Sequence, residues 1–426
     1  MTPAWRYGTV LGMLRIDAAL LIPGSAEPVS NGTVIAEDGR IAYAGPSSKA
    51  PKSSGATQTL EVPVVMPGMW DCHGHFLGVK RLDLGEVMRT PPMVAAARAA
   101  GDCRTALMAG FTSIREAGGL GVYLARVIEE GLLEGPTIYG PGAILSQTGG
   151  HGDLHEYPVR WIHDIADAGG FLHLCDGIAE CLKGVRTQLR LGAAVIKVCA
   201  SGGVLSQLDD PIHQQFTDAE LQAIVDEARR FDRIVMAHCH GKPGIMAALR
   251  AGCKTIEHGT YLDEEVADLM IEQDAILVPT RYIIERLLEF GREYGLPDYA
   301  YRKAVNVAEI HRDALELAIE KGVPIAMGTD IATSGESSGA PWGMNGHELR
   351  YMVEAGMTPL QAIEATTATA PLTLGLQAPR SGRLEEGYDA DVIAVSENPL
   401  GNIDILAEPK NVTLVVKGGR IVKNAT

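Results

Sequence analysis

Short apolar runs alternate with segments of helical periodicity through the middle of the chain. Amphipathic segments such as DAELQAIVDEARRF and GIMAALRAG lie between several of the runs. The apolar runs number eight: VVMPGMWDCH, FTSIREAG, TIYGPGAIL, AAVIKVCA, RIVMAHCH, KTIEHGTYL, AILVPT and VPIAMGTD. A repeat of strand and helix is typical of a parallel sheet. The pattern predicts an α/β fold of the TIM-type (β/α)8 barrel class, with a plain doubly wound sheet as the alternative.

Both ends of the chain show a different pattern, that of short strands joined by tight turns. Near the start, NGTVIAEDGRIAYAG has an Asp-Gly step between alternating apolar runs, which indicates a hairpin. Near the end, VTLVVKGGRIVKN has two strands joined by Gly-Gly. Because chain ends often lie close together, we expect one small β-sandwich domain built from both termini. The predicted boundaries are 1–64 and 381–426 for its two parts, and 65–380 for the barrel.

Composition narrows the class of protein. The 426 residues include 46% apolar and 21% charged residues, which is typical of a globular protein and not of a membrane span. A formal charge of −16 disfavours nucleic acid and anionic membrane surfaces as partners, so we expect a small-molecule substrate. The seven cysteines form no CxxC pair, and the N-terminus shows no convincing export signal. These features predict a cytoplasmic location.

Ionisable side chains stand at or near the C-terminal ends of five of the apolar runs: His73, His75, Lys197, His238, His240, His258 and Asp330. The C-terminal ends of barrel strands form the face where chemistry is placed, so we expect these side chains to converge. His73 and His75 are two residues apart and therefore point to the same side of their strand. Burying several such groups without partners costs several kcal/mol each, which a bound metal ion offsets. Imidazole and carboxylate ligands favour Zn²⁺ or a similar divalent ion.

Lys197 does not fit a simple cation site, because a protonated lysine is repelled by a divalent cation. A buried lysine with a lowered pKa would be a base. Alternatively, its amine reacts with CO₂ and becomes an anion whose two oxygens bridge two metal ions. The residues alone leave both states open, together with a mononuclear site that has an unmodified lysine.

The motifs resemble those of the amidohydrolase superfamily, in the subgroup with two metal ions bridged by a carboxylated lysine. The resemblance covers essentially the whole chain and rests on PGMWDCHGHF, LMAGFTSIREAGG, IKVCASGG, AHCHG, TIEHG, MGTD, ATTATAPLTLGL and GRLEEGYDADVIAV. It implies two divalent ions, with zinc expected, held by six residues: His73, His75, Lys197, His238, His258 and Asp330. His73, His75 and Asp330 would hold the more buried ion. By the same resemblance, His240 is assigned to the substrate and to catalysis.

Two segments, VIKVCASGGVLSQLDD and AHCHGKPGI, resemble metal-dependent Xaa-Pro or Xaa-amino acid dipeptidases and ochratoxin-hydrolysing amidases. This implies hydrolysis of an amide that releases an amino acid, in a dipeptide, an N-acyl amino acid or an ochratoxin-type acyl-phenylalanine. The nucleophile would be a metal-bridging hydroxide, and Asp330 would carry the proton to the leaving nitrogen. The substrate carboxylate needs a cationic or hydrogen-bonding partner, for which His240, Arg281, Lys80, Arg115 and His151 are candidates. His240 and Arg281 are preferred because they follow the fifth and seventh strands.

Two glycine-containing segments are candidate covers for the site. Residues 146–177 are long for a βα loop, and residues 334–346 are rich in glycine and serine. The resemblance also implies a homo-oligomer, with an octamer as one form. Two other functions stay open at this point, namely opening of a cyclic amide such as an imidazolone, and a catalytically silent scaffold.

Overall fold

The computed structural model describes residues 12–52, 56–335 and 338–426. Its strands are β1 Met13–Leu21, β2 Val29–Glu37, β3 Arg40–Pro46, β4 Ala56–Pro67, β5 Met69–Val79, β6 Phe111–Glu116, β7 Thr137–Tyr139, β8 Ile144–Ser146, β9 Leu172–Leu174, β10 Ile196–Cys199, β11 Val235–Cys239, β12 Thr255–His258, β13 Ile276–Val278, β14 Ile331–Thr333, β15 Val392–Val395, β16 Val412–Lys417 and β17 Arg420–Asn424.

Its α-helices are α1 Glu86–Arg89, α2 Pro92–Met108, α3 Gly121–Glu129, α4 Val159–Asp167, α5 Gly177–Leu191, α6 Asp218–Arg229, α7 Lys242–Ala251, α8 Glu264–Glu272, α9 Arg281–Phe290, α10 Asp298–Lys321, α11 His347–Glu354 and α12 Pro359–Ala365. None of the helices in the described ranges is both long and apolar enough to cross a bilayer.

Strands from the two ends of the chain join in one seven-stranded sheet, in the order β17-β16-β15-β4-β1-β2-β3. The join is made by β4, which pairs parallel with β1 and antiparallel with β15. Apolar residues from both ends, including Leu14, Val34, Val392 and Val416, share one buried cluster. The expectation of a terminal β domain beside the barrel is therefore confirmed. Its exact boundaries stay a prediction, and residues 1–11 and 53–55 of it lie outside the described ranges.

The predicted hairpin turns of this domain have the backbone that their residues favour. Asp38 and Gly39 have φ of 50° and 79°, and Gly418 and Gly419 have φ of 54° and 78°. Two consecutive residues with positive φ form the tight turn whose twist matches that of paired strands. These residue types adopt that backbone at low cost, so the local sequence sets the register of both hairpins.

The central strands are parallel and form the predicted barrel. Two sheets, β14-β5-β6-β7 and β13-β12-β11-β10-β8-β9, contain them. The eighth apolar run closes the ring without a regular strand, through a bridge between Leu277 and Ile325 and a bond from the Cys72 amide to the Met327 carbonyl of 2.8 Å.

The apolar runs and the strands differ at two places. The third run is split into β7, which pairs with β6, and β8, which pairs with β10. The first run spans two strands, since β4 ends at Pro67 and β5 begins at Met69.

The helices pack on the outside of the barrel through one apolar face. In α6 the buried residues are Leu221, Ile224, Val225, Glu227 and Ala228, a spacing that places them on one side. Thr217 and Glu220 form a capping box at its start, which satisfies two free backbone N–H groups. This arrangement leaves the C-terminal ends of the strands, and the loops that follow them, to form the site.

Candidate metal centre and active site

A cavity at the C-terminal ends of the barrel strands brings together all seven ionisable residues predicted from the strand ends: His73, His75, Lys197, His238, His240, His258 and Asp330. Two sets among them have donor atoms within 4.8 Å of one another, as a metal ion requires. One set is His238, His240 and His258, and the other is His73, His258 and Asp330. Residues from five distant segments therefore converge on one point.

Four of these imidazoles are held through Nδ1, which leaves Nε2 as their other ring nitrogen. The partners of Nδ1, each at 2.7 Å, are Glu257 for His73, the Gly118 carbonyl for His75, Thr260 for His240 and Thr280 for His258. A carboxylate or carbonyl can only accept, so His73 and His75 donate from Nδ1 and keep a lone pair on Nε2. Partners of this kind orient histidines that bind metals.

His238 is held through its other ring nitrogen, Nε2. Its Nε2 lies 3.2 Å from the Gly202 carbonyl, which leaves Nδ1 as the possible ligand atom. The His238 ring stacks on His151 with centroids 4.1 Å apart and meets His240 edge-on at 4.8 Å. Since His238 and His240 both lie within reach of His258, the choice of His238 as the metal ligand stays a prediction.

Lys197 is buried, with 2% of its surface exposed, and its Nζ has no hydrogen-bond partner among the described residues. Burial lowers the pKa of this amine from its usual value. A neutral buried amine is able to react with CO₂, whereas a protonated one is not. Together with the imidazoles and the carboxylate around it, this unpartnered atom fits a metal centre that includes a carboxylated lysine.

Burial also keeps the histidines neutral, which is the form that binds a metal ion. It lowers the pKa of His73 to about 4 and that of His240 to about 3, and it lowers the pKa of His258 well below its usual value. Asp330 differs in sign. Burial alone would raise its pKa, but the imidazoles of His73 and His75 lower it further than that, so this residue is an anion at neutral pH.

Asp330 and His258 have strained backbones, with φ of 61° and 71°. A positive φ is unfavourable for both residue types and persists where the surroundings enforce it. The Asp330 amide donates to the His73 carbonyl at 2.6 Å, and its Oδ1 lies 3.0 Å from Nε2 of His75 and 3.5 Å from Nε2 of His73. The strain thus accompanies the placement of two predicted ligands.

Arg115 and Glu257 form a buried ion pair beneath the site. Arg115 is one of the candidate partners expected for the substrate carboxylate, but it is not among the residues that line the cavity, and Glu257 did not emerge from the sequence. Arg115 donates from Nη2 to both oxygens of Glu257 at 2.8 Å, from Nη1 to Thr255 at 2.9 Å and from Nε to the Cys72 carbonyl at 2.8 Å. Burial would raise the pKa of Glu257, but Arg115 and His73 lower it to about 2. A buried anion therefore holds His73. The signal in the sequence is the alternation of polar residues in TIEH, where Thr255 and Glu257 share one side of the strand.

Asp71 is a second residue that sequence reasoning missed. Its carboxylate accepts from the His73 amide at 3.0 Å, the Thr329 amide at 3.1 Å, the Thr329 hydroxyl at 2.6 Å and the Asn345 amide nitrogen at 2.7 Å. Burial raises its pKa to about 6. Asp71 thereby fastens the strand that carries His73 to the segment that carries Asp330.

The predicted substrate residues have different surroundings. His240 and His151 line the cavity, whereas Arg281 is not among its lining residues. The Arg281 guanidinium lies against α10, where Nη1 donates to the Ala308 carbonyl at 2.5 Å and Nη2 pairs with Glu285. Arg281 begins α9, and its side chain packs toward the neighbouring helix instead of the cavity.

The remaining wall of the cavity is apolar. It consists of Leu77, Leu82, Leu84, Ile144, Phe171, Leu172, Val204, Leu205, Ile283, Ile284, Leu287 and Ala332, with Gly152 and Cys199. The candidate cover 146–177 contributes His151, Gly152, Phe171 and Leu172 to this lining, and its role as a cover stays a prediction.

The second candidate cover, 334–346, contributes none of its described residues to the cavity lining; Glu336 and Ser337 lie outside the described ranges. Its Trp342 stacks on Phe76 at 4.1 Å and lies against Gly74, where a Cβ would come within 2.7 Å of the indole. This segment therefore supports the backbone between His73 and His75.

A barrel with a terminal β domain and a histidine-rich site at its strand ends matches a known class of hydrolase. Residues 64–422 match the amidohydrolase family, and the chain belongs to this family. It is 46% identical over 422 residues to the ochratoxinase of Aspergillus niger, covering 96% of this chain and 86% of that protein. The crystal structure of A. niger ochratoxinase has a TM-score of 0.89 at 44% identity, covering 97% of this chain and 96% of that one.

Two further crystal structures are similar over 97% of this chain and 100% of their own. One is a prolidase complexed with N-methylphosphonate-L-proline, with a TM-score of 0.89 and 31% identity. The other is a Xaa-Pro dipeptidase with methionine bound in the active site, with a TM-score of 0.85 and 30% identity. The resemblance inferred from the motifs is confirmed, and the protein is a hydrolase that acts on amide bonds.

Proposed function

We propose that the protein uses two divalent metal ions to hydrolyse an amide whose leaving group is an amino acid. The similarity to an ochratoxinase, a prolidase and a Xaa-Pro dipeptidase supports this substrate class. The observation that carries the proposal is the Nζ of Lys197, which is buried without a partner among the described residues and lines the same cavity as five imidazoles and Asp330.

The donor set divides into two parts. His73, His75 and Asp330 would hold one ion, and His238 with His258 the other. Lys197 would join them after its amine nitrogen bonds to the carbon of CO₂ and loses a proton, which leaves a carbamate with two oxygens. When bound, two ions such as Zn²⁺ activate a water molecule and polarise the amide carbonyl.

Asp330 would act as the proton carrier of the reaction. Its carboxylate takes the proton of the attacking water and delivers it to the leaving nitrogen, because an unprotonated amide nitrogen leaves poorly. Asp330→Asn should reduce kcat by roughly 10²- to 10⁴-fold, the usual contribution of a general acid or base. Metal content, measured by atomic emission, should stay near that of the wild type. Retention of normal kcat would contradict the role.

The cavity wall favours an apolar substrate. Burial of an aliphatic or aromatic acyl group or side chain against Leu82, Leu84, Phe171 and Leu205 contributes roughly 25 cal/mol per Å² of apolar surface. No arginine of the described residues lines this cavity. Recognition of the substrate carboxylate therefore falls to an imidazole, and His240 is our candidate.

A hydrolysis screen tests this proposal. N-acyl-phenylalanines, ochratoxin A, acyl-prolines and dipeptides are incubated with zinc-loaded protein in bicarbonate, alongside lactams and an imidazolone, and the products are identified by mass spectrometry. We expect release of a free amino acid from one or more of the acyclic amides. Opening of the cyclic amides alone would favour the imidazolone-type function, and no turnover with full metal content would favour a silent scaffold.

Three further properties belong to the same proposal. Native mass spectrometry should show two metal ions and the mass of one CO₂ per chain. The mass of the intact assembly in the same spectra gives the number of chains. We propose a homo-oligomer, with an octamer as one form. All seven cysteines are free and buried, which is consistent with the proposed cytoplasmic location.

A further inference from the structure

One face of the long helix α10 contacts the loops of the active face. Tyr299, Lys303, Val307 and His311 are spaced four residues apart and so lie on one side of the helix. The Tyr299 hydroxyl donates to the Leu205 carbonyl at 3.3 Å, and Nε2 of His311 donates to the His258 carbonyl at 3.1 Å. Lys303, between them, makes more contacts than either.

The ammonium group of Lys303 holds the segment 203–209. Its Nζ lies 3.0 Å from the Gly203 carbonyl, 2.7 Å from the Ser206 carbonyl, 2.5 Å from the Asp209 carbonyl and 3.2 Å from Asp209 Oδ1. An ammonium has three protons, so this group is fully used by one short segment. The segment includes Val204 and Leu205, which line the cavity.

A chain of hydrogen bonds links His151 to Lys303: its donors run from His151 through Ser206 to the Asp209 carboxylate, which also accepts from Lys303. The Asp209 carboxylate accepts from the Ser206 hydroxyl, the Gly203 amide at 3.0 Å and the Gln215 side chain at 3.0 Å. Since a serine hydroxyl has one proton and gives it to the carboxylate, its oxygen must accept the bond from Nδ1 of His151, at 2.8 Å. In the neutral ring Nδ1 thus carries the proton, and Nε2 keeps a lone pair.

The position of the His151 ring is fixed from several sides. It stacks on His238 at 4.1 Å with an interplanar angle of 17°. The backbone of Gly203 lies directly beside it, because a Cβ there would come within 2.1 Å of the ring. The His151 amide donates to Gln215 Oε1 at 2.9 Å. His151 lines the cavity with its ring orientation set.

We propose that Lys303 is a positioning residue that, through Asp209 and Ser206, holds His151 with Nε2 as a hydrogen-bond acceptor for the N–H of the scissile amide. This inference rests on the proposed function. It assigns substrate specificity to the segment 203–209, which positions His151. An N-acyl-phenylalanine has an N–H at the scissile amide, whereas an N-acyl-proline has none. His151 would therefore favour secondary amides and would not bind the substrate carboxylate.

The test compares two substrates in a small set of variants. Ser206→Ala interrupts the chain of bonds while Lys303 stays in place. Lys303→Met removes the ammonium group that holds Asp209 at the other end of the chain. We expect kcat/KM for an N-acyl-phenylalanine to fall about 10-fold in both, the lower end of the effect of outer partners at a site. kcat/KM for the N-acyl-proline should change less than about 2-fold, because this substrate has no amide N–H and therefore loses no hydrogen bond to His151. Equal losses on both substrates would overturn the proposal.

Two variants serve as controls. Lys303→Arg keeps the cation and should recover part of the loss. Arg302→Met removes an exposed cation next to Lys303 on the same helix and should leave both substrates unaffected. Where Lys303→Met does not fold, Ser206→Ala alone decides, because its effect must vanish when combined with His151→Phe. If the double variant instead loses the product of the two single losses in kcat/KM, the two residues act independently, which would contradict the chain of bonds.

A spectroscopic measurement separates this inference from the proposed function. Side-chain ¹⁵N NMR of the zinc-loaded protein reports which ring nitrogen of His151 carries the proton. We expect the Nδ1–H form in the wild type and a mixture of tautomers in Ser206→Ala. An Nε2–H form in the wild type would overturn the inference whatever the activity. If no amide is hydrolysed and the Nδ1–H form is found, the proposed function fails while the positioning chain stands.

Discussion

Two basic side chains in the barrel, Arg115 and Lys197, are both buried, but they differ in the partners that surround them. Arg115 is 0% exposed and donates four bonds, two of them to the carboxylate of Glu257. Lys197 is 2% exposed, and its Nζ has no partner within the described ranges. The fold provides acceptors for the Arg115 guanidinium, but none among the described residues for the Lys197 amine.

The difference separates a structural cation from a reactive group. A buried charge with complete partners is held in place, and removing one partner is costly. A buried amine without partners loses its proton more easily, because burial penalises its charged form and lowers its pKa. The partners that Lys197 lacks would come from CO₂ and two metal ions under the proposed function. Substitutions of Arg115 and of Lys197 should therefore affect different properties.

The largest expected effect is that of Lys197→Met on activity. The substitution removes the bridging group of the proposed centre, so kcat/KM for amide hydrolysis should fall by more than about 10⁴-fold, beyond the contribution of a single general acid or base. The melting temperature of the metal-free protein should not fall, since an unpartnered polar atom is replaced by an apolar one of similar length. Parallel assays and thermal unfolding measure both. A Lys197→Met variant that retains activity would remove the distinction between the reactive Lys197 and the structural Arg115.

Arg115→Met should show the reverse pattern, with stability as the affected property. It leaves the Glu257 anion buried without its main partner, which costs about 3–5 kcal/mol of the free energy of unfolding. Urea unfolding at pH 7 measures this loss. At temperatures where the variant is folded, the amide substrate should still be turned over. A stable Arg115→Met protein would show that the ion pair is not a structural element.

Much of this arrangement could be predicted from the sequence, because it depends on local pattern. The alternation of strands and helices predicts the barrel, and the position of His73, His75, His258 and Asp330 at the ends of apolar runs predicts their convergence. Parallel strands place their C-terminal ends at one edge, so strand position alone carries that information.

Other parts depend on contacts between residues far apart in the chain. Asp71 and Asn345 bond across 274 positions, and Arg115 and Glu257 across 142. Nothing in the local pattern of either segment specifies such a pairing. The direction of a side chain at the start of a helix is similarly set by its neighbour, as Arg281 shows against α10. Lys303 lies on a helix outside the predicted site, so its contacts with the loop 203–209 required the fold.

Glu257→Gln should have an intermediate effect. It tests whether the ion pair of Arg115 and Glu257 also serves the metal site. The substitution removes the negative charge that orients His73, so zinc affinity should fall by roughly 10- to 100-fold, as for other outer partners of metal ligands. Competition with a chelator measures the change. Glu116→Gln is the matched control: burial raises the pKa of Glu116 to about 8, so this residue is largely neutral at pH 7 and its amide analogue should leave zinc affinity unchanged. Equal losses in both variants would mean that packing, and not charge, orients His73.

Arg281→Ala should have the smallest effect on turnover. Arg281 is a third buried basic residue, and it extends the comparison between side chains with and without acceptors. Its guanidinium donates to the Ala308 carbonyl and pairs with Glu285, so Arg281, like Arg115, has acceptors within the fold. Those of Arg281 lie on helices, whereas those of Arg115 lie on strands β5 and β12. We expect a loss of about 1–3 kcal/mol in stability from the acceptors left behind. KM for acyl-amino acids should change less than about 2-fold, because the side chain is not part of the cavity lining. A rise in KM above 10-fold for acyl-amino acids, with no rise for the corresponding neutral esters, would instead restore Arg281 as the partner of the substrate carboxylate and would require the start of α9 to rearrange when substrate binds.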